Sequence, residues 1–344
     1  MTRTVFVEPS MSNSSWRTLW PGRELQRRGH DVAIFAQEQR HHGEVFAGET
    51  VILHITAGTW METPEDIATP FSLVQRFLGI GVKLYLSFSD DLTQLWHVQT
   101  APEDVTLRLR LFIADLPVIV RQAAGVIVTT PRLAEVYGRW ANEVYVCEPY
   151  LPEWVFDLPR KPSNDRLGWM GTLDVHERDL EILRPRAADL PPMYLIGPGQ
   201  AGVDLLRRWG ARDVTAAPGW GAAGAGVGII ASQRGLYREM SACRAAVVPV
   251  ITDGKVGRFN AGKSWIKPYE FMAVGVPTVA SMFDPYRWLP GAWVAWDEGL
   301  VDAACEAYET RSAPEGQRLL RDYGWTMEQR GGDAWEHALG FRGK

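Results

Sequence analysis

Cysteine is scarce in this chain. Cys147, Cys243 and Cys305 are the three among 344 residues, an odd number and widely spaced. Such a set builds no disulfide framework and matches no zinc-ligand spacing, and it fits a reducing compartment. Long apolar runs are missing too. No stretch reaches the roughly 18 apolar residues of a membrane span. The opening MTRTVFVEPS has one arginine and a short apolar run, too short for a signal peptide. The chain is therefore expected to stay in the cytoplasm. Nor is there an excess of positive charge: the net charge of -5 gives no general attraction to phosphate backbones or anionic membranes. No nucleic-acid partner is expected, although a local basic patch can still hold a small anion. No cluster of His, Cys and carboxylate residues has a metal-site spacing, so neither a metal nor a resident cofactor is expected. Low-complexity tracts are also absent.

What is present is an ordinary globular composition, 46% apolar and 22% charged, in a chain too long for one hydrophobic core. Two domains are expected. The fifteen tryptophans can stack on sugar rings, but they bury large apolar area whatever the function. Short β-rich runs, TVFV, VAIF, TVILHIT, VKLYLSF, GVIVTT and EVYVCE, alternate with helical patterns through the first half. RLGWMG, PMYLIG, AAVVPVI, VPTVAS and AWVAW repeat the pattern in the second. This predicts an α/β fold with parallel strands and helices on both faces. The four prolines between Glu148 and Arg166 read as a hinge. The expected division is 1–150 as a first Rossmann-like domain, 151–165 as linker and 166–321 as a second Rossmann-like domain. Residues 322–344 are expected to form a C-terminal helix packing back on the first.

One stretch places charges just ahead of a run to be buried: FNAGKSWIKPYEFMAVGVPTVAS, Phe259 to Ser281. Pro268 is tolerated only near a helix start, so a helix is expected from about Ser264 or Trp265 toward Val274. Lys267 and Glu270, three apart, then share a face, and Lys263 approaches it from the loop. A helix N-terminus with an added ammonium suits a diphosphate, and a carboxylate one turn further suits the paired hydroxyls of a ribose. The same spacing also describes an exposed ion pair worth a few tenths of a kcal/mol. In EPSMSNSSW, after the first strand, Ser12, Asn13 and Ser14 can face a reacting sugar or an acceptor, or Ser14 and Ser15 can cap a helix. Asp90 and Asp91 end the VKLYLSF strand, where they can face a site or cap a helix. His97 and His176 lie near expected loops. GWGAAG, Gly219 to Gly224, satisfies G-x-G-x-x-G formally. It lacks a preceding strand and a following uninterrupted helix, which argues against a dinucleotide-dependent oxidoreductase.

The Phe259 to Ser281 stretch resembles the donor-site motif of family 4 glycosyltransferases (glycosyl transferases group 1) of the GT-B fold. The similar branch reads F-N-x-x-K-S-x-x-K-x-x-E followed by G-V-P-x-V-A-S. LGWMGTLDVHERDL resembles its G-x-x-G-T-x-x-H-x-x-D-L opening of the donor domain. GVIVTTPRLAEVYGRWANEVYVCEPYLPEWVF resembles its end of the first domain, and VKLYLSFSDDL is similar to its strand ending in paired aspartates. The resemblance implies two Rossmann-like domains facing each other across a cleft. It further implies metal-independent transfer of a sugar from a nucleotide diphosphate donor, UDP- or GDP-linked, to an acceptor hydroxyl with retention of configuration. It implies that Glu270 binds the ribose, that Lys263 and Lys267, with Ser264 beside them, serve the diphosphate and catalysis, and that the Gly171–Thr172 turn approaches the phosphates. Trp220 would lie near the base, and Asp90 and Asp91 near the chemistry. The acceptor, whether glycan, protein or small molecule, is not specified. The sequence departs from the common E-x7-E pair at its first carboxylate, where Gly262 stands. That departure leaves open a catalytically silent sugar-nucleotide or glycan-binding protein. Glucosylation of DNA is disfavoured by the acidic balance.

Overall fold

The computed structural model describes residues 2–7, 17–35, 45–55, 74–97, 103–171, 173–197, 199–217, 229–310 and 314–341. Among them, short strands pair in parallel as two six-stranded sheets, one in each of two units. The first sheet holds β1 (Thr4–Val7), β2 (Val32–Phe35), β3 (Thr50–Ile55), β4 (Lys83–Phe88), β5 (Gly125–Val128) and β6 (Val144–Val146), in the order β2-β1-β3-β4-β5-β6. The second holds β7 (Leu167–Met170), β8 (Met193–Ile196), β9 (Val214–Ala216), β10 (Ala245–Val248), β11 (Thr278–Ser281) and β12 (Trp293–Ala295), in the order β12-β11-β10-β7-β8-β9. TVFV, GVIV and AAVV are buried throughout, as parallel strands covered on both faces must be. The fold is α/β, with each expected run forming a strand. The edge strand β9 adds a run, VTA, that carries too little pattern to be read from sequence.

The first unit comprises 1–150, 253–264 and 327–344. One part of its core joins Val5, Val7, Leu53, Leu86 and Val126 from the sheet to Leu116, Ile119 and Val120 of the helix Glu103–Gln122. The helix Leu19–Arg27 stops at Gly29, whose φ of 90° is the left-handed conformation that terminates helices. The C-terminal helix Gly332–Ala338 belongs to this unit: Trp335 meets Phe6, ring centres 5.3 Å apart. Arg28 fastens it, donating to Glu24 Oε1 (2.7 Å), Asp333 Oδ1 (2.7 Å), Glu336 Oε2 (2.8 Å) and the Glu328 carbonyl (2.7 Å). The segment 253–264, expected with the second domain, also packs here. Its helix Gly254–Asn260 delivers the buried Phe259 into this core, and the Gly262 carbonyl accepts from Thr130 Oγ1 at 3.2 Å.

The second unit comprises 151–252 and 265–326. Leu167, Leu195, Val247 and Val279 of its sheet pack with Leu183, Leu206, Leu300 and Ala304. The proline-rich stretch expected as a linker folds onto this unit from Leu151. Glu153–Phe156 forms a helical turn that buries Val155 and Phe156, and Arg160 donates to the carbonyls of Ser241 (3.2 Å) and Cys243 (3.0 Å). Residues 322–326, expected with the C-terminal helix, stay with this unit, where Trp325 packs against Tyr269 and Trp265. Among the described residues no helix is long and apolar enough to cross a membrane.

Candidate functional site

In an open parallel sheet, ligands gather at the strands' carboxyl ends where the strand order reverses. In the second unit the chain winds one way from β7 through β8 to β9, then returns to place β10 on the other side of β7. Gly171 follows β7 at this switch point. A Cβ there would come within 2.8 Å of the Trp169 ring and 3.2 Å of His176 Cδ2, so no larger residue fits without displacing them. The adjoining turn after β8 is equally close: a Cβ on Gly197, at φ 114°, would lie 2.4 Å from the Gly171 carbonyl oxygen.

Around this turn stand the charged groups of the helices. His176, on the helix Leu173–Leu180, lies with Nδ1 2.8 Å from Asp179 Oδ2, a pair that the i, i+3 spacing puts on one face. The other oxygen of the buried Asp179 accepts from the Ile251 backbone N–H at 3.0 Å, which ties this helix to the segment after β10. The Lys267 ammonium sits 5.9 Å from the centre of the Trp169 ring, within cation–π range. Gly171, His176 and Lys267 are thus gathered about one tryptophan.

Glu270 lies on the same helix as Lys267, Ile266–Ala273, which starts with Pro268 in its first turn as its fixed φ allows. Its side chain is buried, the whole residue 6% exposed, and Oε1 accepts from the Tyr237 hydroxyl at 3.0 Å. Burial raises the carboxyl to about 7, against the opposing pull of the Tyr237 hydrogen bond and the Lys267 charge. Lys267 and Glu270 are therefore not a solvated surface pair. Tyr237, on the helix Ile229–Ser241, is itself buried and pushed well above the usual phenol range, first by burial and then by Glu270, so it stays a hydrogen-bond donor. The sequence reading missed Tyr237, and it quoted Asp179 within the H-x-x-D-L pattern without giving it a role. Asp179 was readable from its spacing to His176; nothing in the chain connects Tyr237 to a partner 33 positions away.

The first unit holds the other sequence candidates. Asp91 Oδ1 accepts from the Thr93 backbone N–H (3.0 Å) and hydroxyl, capping the turn Leu92–His97, while burial raises its carboxyl above the usual range. Asp90 Oδ2 accepts from Ser89 Oγ at 3.1 Å, and its carbonyl accepts from the Tyr137 hydroxyl at 2.8 Å. At Gly262, where the resemblance calls for a carboxylate, a Cβ would lie 2.8 Å from Leu133 Cδ2 and 3.3 Å from Asp91 Cβ. A larger residue here would have to displace the Leu133 side chain and crowd Asp91. Lys263 follows, with its ammonium 5.2 Å from the centre of the Phe259 ring and its backbone N–H bonded to the Asn260 carbonyl at 2.8 Å; Ser264 is buried. Lys263 and Ser264 fall in the first unit, whereas Gly171, Lys267 and Glu270 fall in the second.

A buried chain of polar groups at the carboxyl end of the first sheet gave no sequence signal. His54 of β3 lies opposite Ser87 of β4 with Nδ1 3.0 Å from the hydroxyl, and its Nε2 lies 2.9 Å from Arg17 Nη1. An arginine can only donate, so Nε2 accepts and Nδ1 carries the proton toward Ser87. Burial, with the Arg17 charge, holds His54 well below the usual imidazole range and therefore neutral. Ser12, Asn13, Ser14, Thr172, Trp220 and the GWGAAG stretch lie outside the described residues, and so do the side-chain details of His97. Among the described residues no group of three or more His, Cys, Asp and Glu side chains converges as a metal site would.

No protein-family model and no curated protein sequence matches the chain. Solved structures do. A glycosyltransferase involved in avilamycin A biosynthesis is similar over 99% of this chain and 96% of its own, with a TM-score of 0.56 and 12% identity. Sucrose-phosphate synthase from Thermosynechococcus elongatus is similar over 99% of this chain and 94% of its own, with a TM-score of 0.54 and 14% identity. T4 phage β-glucosyltransferase, solved with its UDP-glucose substrate, is similar over 98% and 99%, with a TM-score of 0.54 and 12% identity. The chain has the fold of the GT-B glycosyltransferases.

Proposed function

We propose that the protein is a glycosyltransferase that moves a sugar from a nucleoside diphosphate donor to an acceptor hydroxyl, with the nucleotide on the second unit. The observation that carries this reading is the β7 switch point, where a turn that admits only glycine lies beside Trp169 and Lys267, with the buried Glu270 one turn further along the same helix. A close backbone approach and an ammonium suit a diphosphate, and a carboxylate suits two ribose hydroxyls. Lys267 neutralises the departing diphosphate, and a part for Lys263 rests on the motif resemblance alone. Removing one such preorganised donor costs about 100-fold in rate or more. In this reading the transfer needs no metal, because the Lys267 ammonium and the N-terminus of its helix carry the charge. Retention of anomeric configuration and membership of family 4 rest on the motif resemblance alone.

The structural neighbour bound to UDP-glucose makes a UDP-sugar the first donor to try, with a GDP-sugar second. Acceptor recognition falls to the first unit, at the carboxyl ends of β3 and β4, where Asp90, Asp91 and the Arg17–His54–Ser87 chain lie. The cysteines are unbridged, which fits a cytoplasmic enzyme. A silent sugar-nucleotide binder is the second reading, favoured by Gly262, which stands where the usual first carboxylate would be and where even a Cβ would crowd Leu133 and Asp91. Release of nucleoside diphosphate from nucleotide sugars separates the two. The wild type should release it, and Lys263→Ala and Lys267→Ala should fall about 100-fold with unchanged circular dichroism. Wild-type rates in both variants would refute the transferase reading.

A further inference from the structure

Gln233 stands one helical turn before Tyr237 on the helix Ile229–Ser241, so the two share a face. It is 6% exposed, yet neither its Nε2 nor its Oε1 has a hydrogen-bond partner among the described residues. Burying both ends of an unpaired amide is costly, and native proteins rarely leave such a group unmatched. Its neighbour on that face, Tyr237, already donates to Glu270. Four residues away, Gln233 stands about 6 Å along the helix axis from the residue that orients the ribose-binding carboxylate.

We infer that Gln233 reads the base of the nucleoside diphosphate, pairing its amide oxygen and N–H with an N–H and an acceptor on the base edge. The inference rests on the nucleotide-site reading above and adds a specificity residue to it. The chemistry distinguishes the two polar groups. A carboxylate accepts from two hydroxyls, as a ribose requires, whereas a planar amide offers one acceptor beside one donor. That paired pattern matches the edge of a nucleobase, where neighbouring ring N–H and carbonyl groups, or amino and ring nitrogen groups, alternate in one plane. A site that buries such a pair rejects bases that cannot satisfy it, because the protein's own polar atoms are then left unpaired.

The test is titration of wild type, Gln233→Leu and Glu270→Ala with UDP, GDP, ADP and dTDP by calorimetry, together with melting curves of each unliganded protein. Wild type should prefer one base. Gln233→Leu should lose about tenfold or more of its affinity for that base and less for the others, so that the preference collapses. Its unliganded melting temperature should rise, because an unpaired polar group has been replaced by an apolar one of similar size. Glu270→Ala should weaken UDP, GDP and ADP alike, since the ribose is common to them, and dTDP less, since it retains only one of the two hydroxyls. Undiminished base preference in Gln233→Leu, while Glu270→Ala still weakens binding, overturns the base-reading role and leaves the nucleotide site standing. Absence of binding of all four by wild type overturns both.

Discussion

Glu270→Gln isolates the cost of the buried carboxyl. In the folded protein this group titrates near 7 rather than at its ordinary 4.5, chiefly because burial disfavours the anion. A carboxyl whose pKa is raised by folding contributes its full stability below the unfolded value, and that contribution is lost as pH rises toward the folded value. The window is therefore about pH 4.5 to 7. A rise from 4.5 to about 7 corresponds to about 3 kcal/mol of preference for the neutral form. Glutamine is neutral, nearly isosteric, and can still accept from the Tyr237 hydroxyl, so the variant lacks this titration. Urea melts of both proteins across the window supply the test, because other titrating groups cancel in the difference. At pH 4.5 the two should be nearly equal in stability; above pH 7 the variant should be more stable by about 3 kcal/mol. A difference that does not change with pH would refute the burial of this carboxyl.

Introducing the first carboxylate of the E-x7-E pattern with Gly262→Glu should not improve activity. It should cost about 1–3 kcal/mol, since even the Cβ meets Leu133 and Asp91; denaturation and rate measurements check both halves. Asp179→Ala removes the acceptor shared by His176 and the Ile251 N–H, and should lower stability by about 1–3 kcal/mol in urea melts and weaken nucleotide-sugar binding. Arg28→Met leaves the buried Glu24 and the C-terminal Asp333 and Glu336 without their shared cation. A loss of about 3 kcal/mol is expected, together with faster proteolytic release of the C-terminal helix.

The strands were legible because parallel strands buried on both faces write themselves as continuous apolar runs, TVILHI and KLYLSF among them. The edge strand VTA is too brief to do so. Helical spacing revealed that Lys267 and Glu270 share a face, but not that Glu270 is buried, which depends on Tyr237 and on the packing of another helix. The place of 253–264 was hidden for a related reason: it is decided by where Phe259 finds a core, and a short amphipathic segment does not announce which of two cores it will join. Gly262 was visible only as a departure from a pattern. Its reason, the contact with Leu133 and Asp91, comes from residues more than a hundred positions earlier in the chain.

The central claim is that the second unit binds a nucleotide sugar through Glu270. Its most direct test is a thermal-shift titration of wild type and Glu270→Ala with UDP-, GDP-, ADP- and TDP-sugars, since a ligand that binds only the folded state raises its melting temperature. A rise with one donor that disappears in the variant is the predicted result. No rise with any donor, or a rise that survives in Glu270→Ala, would contradict the account.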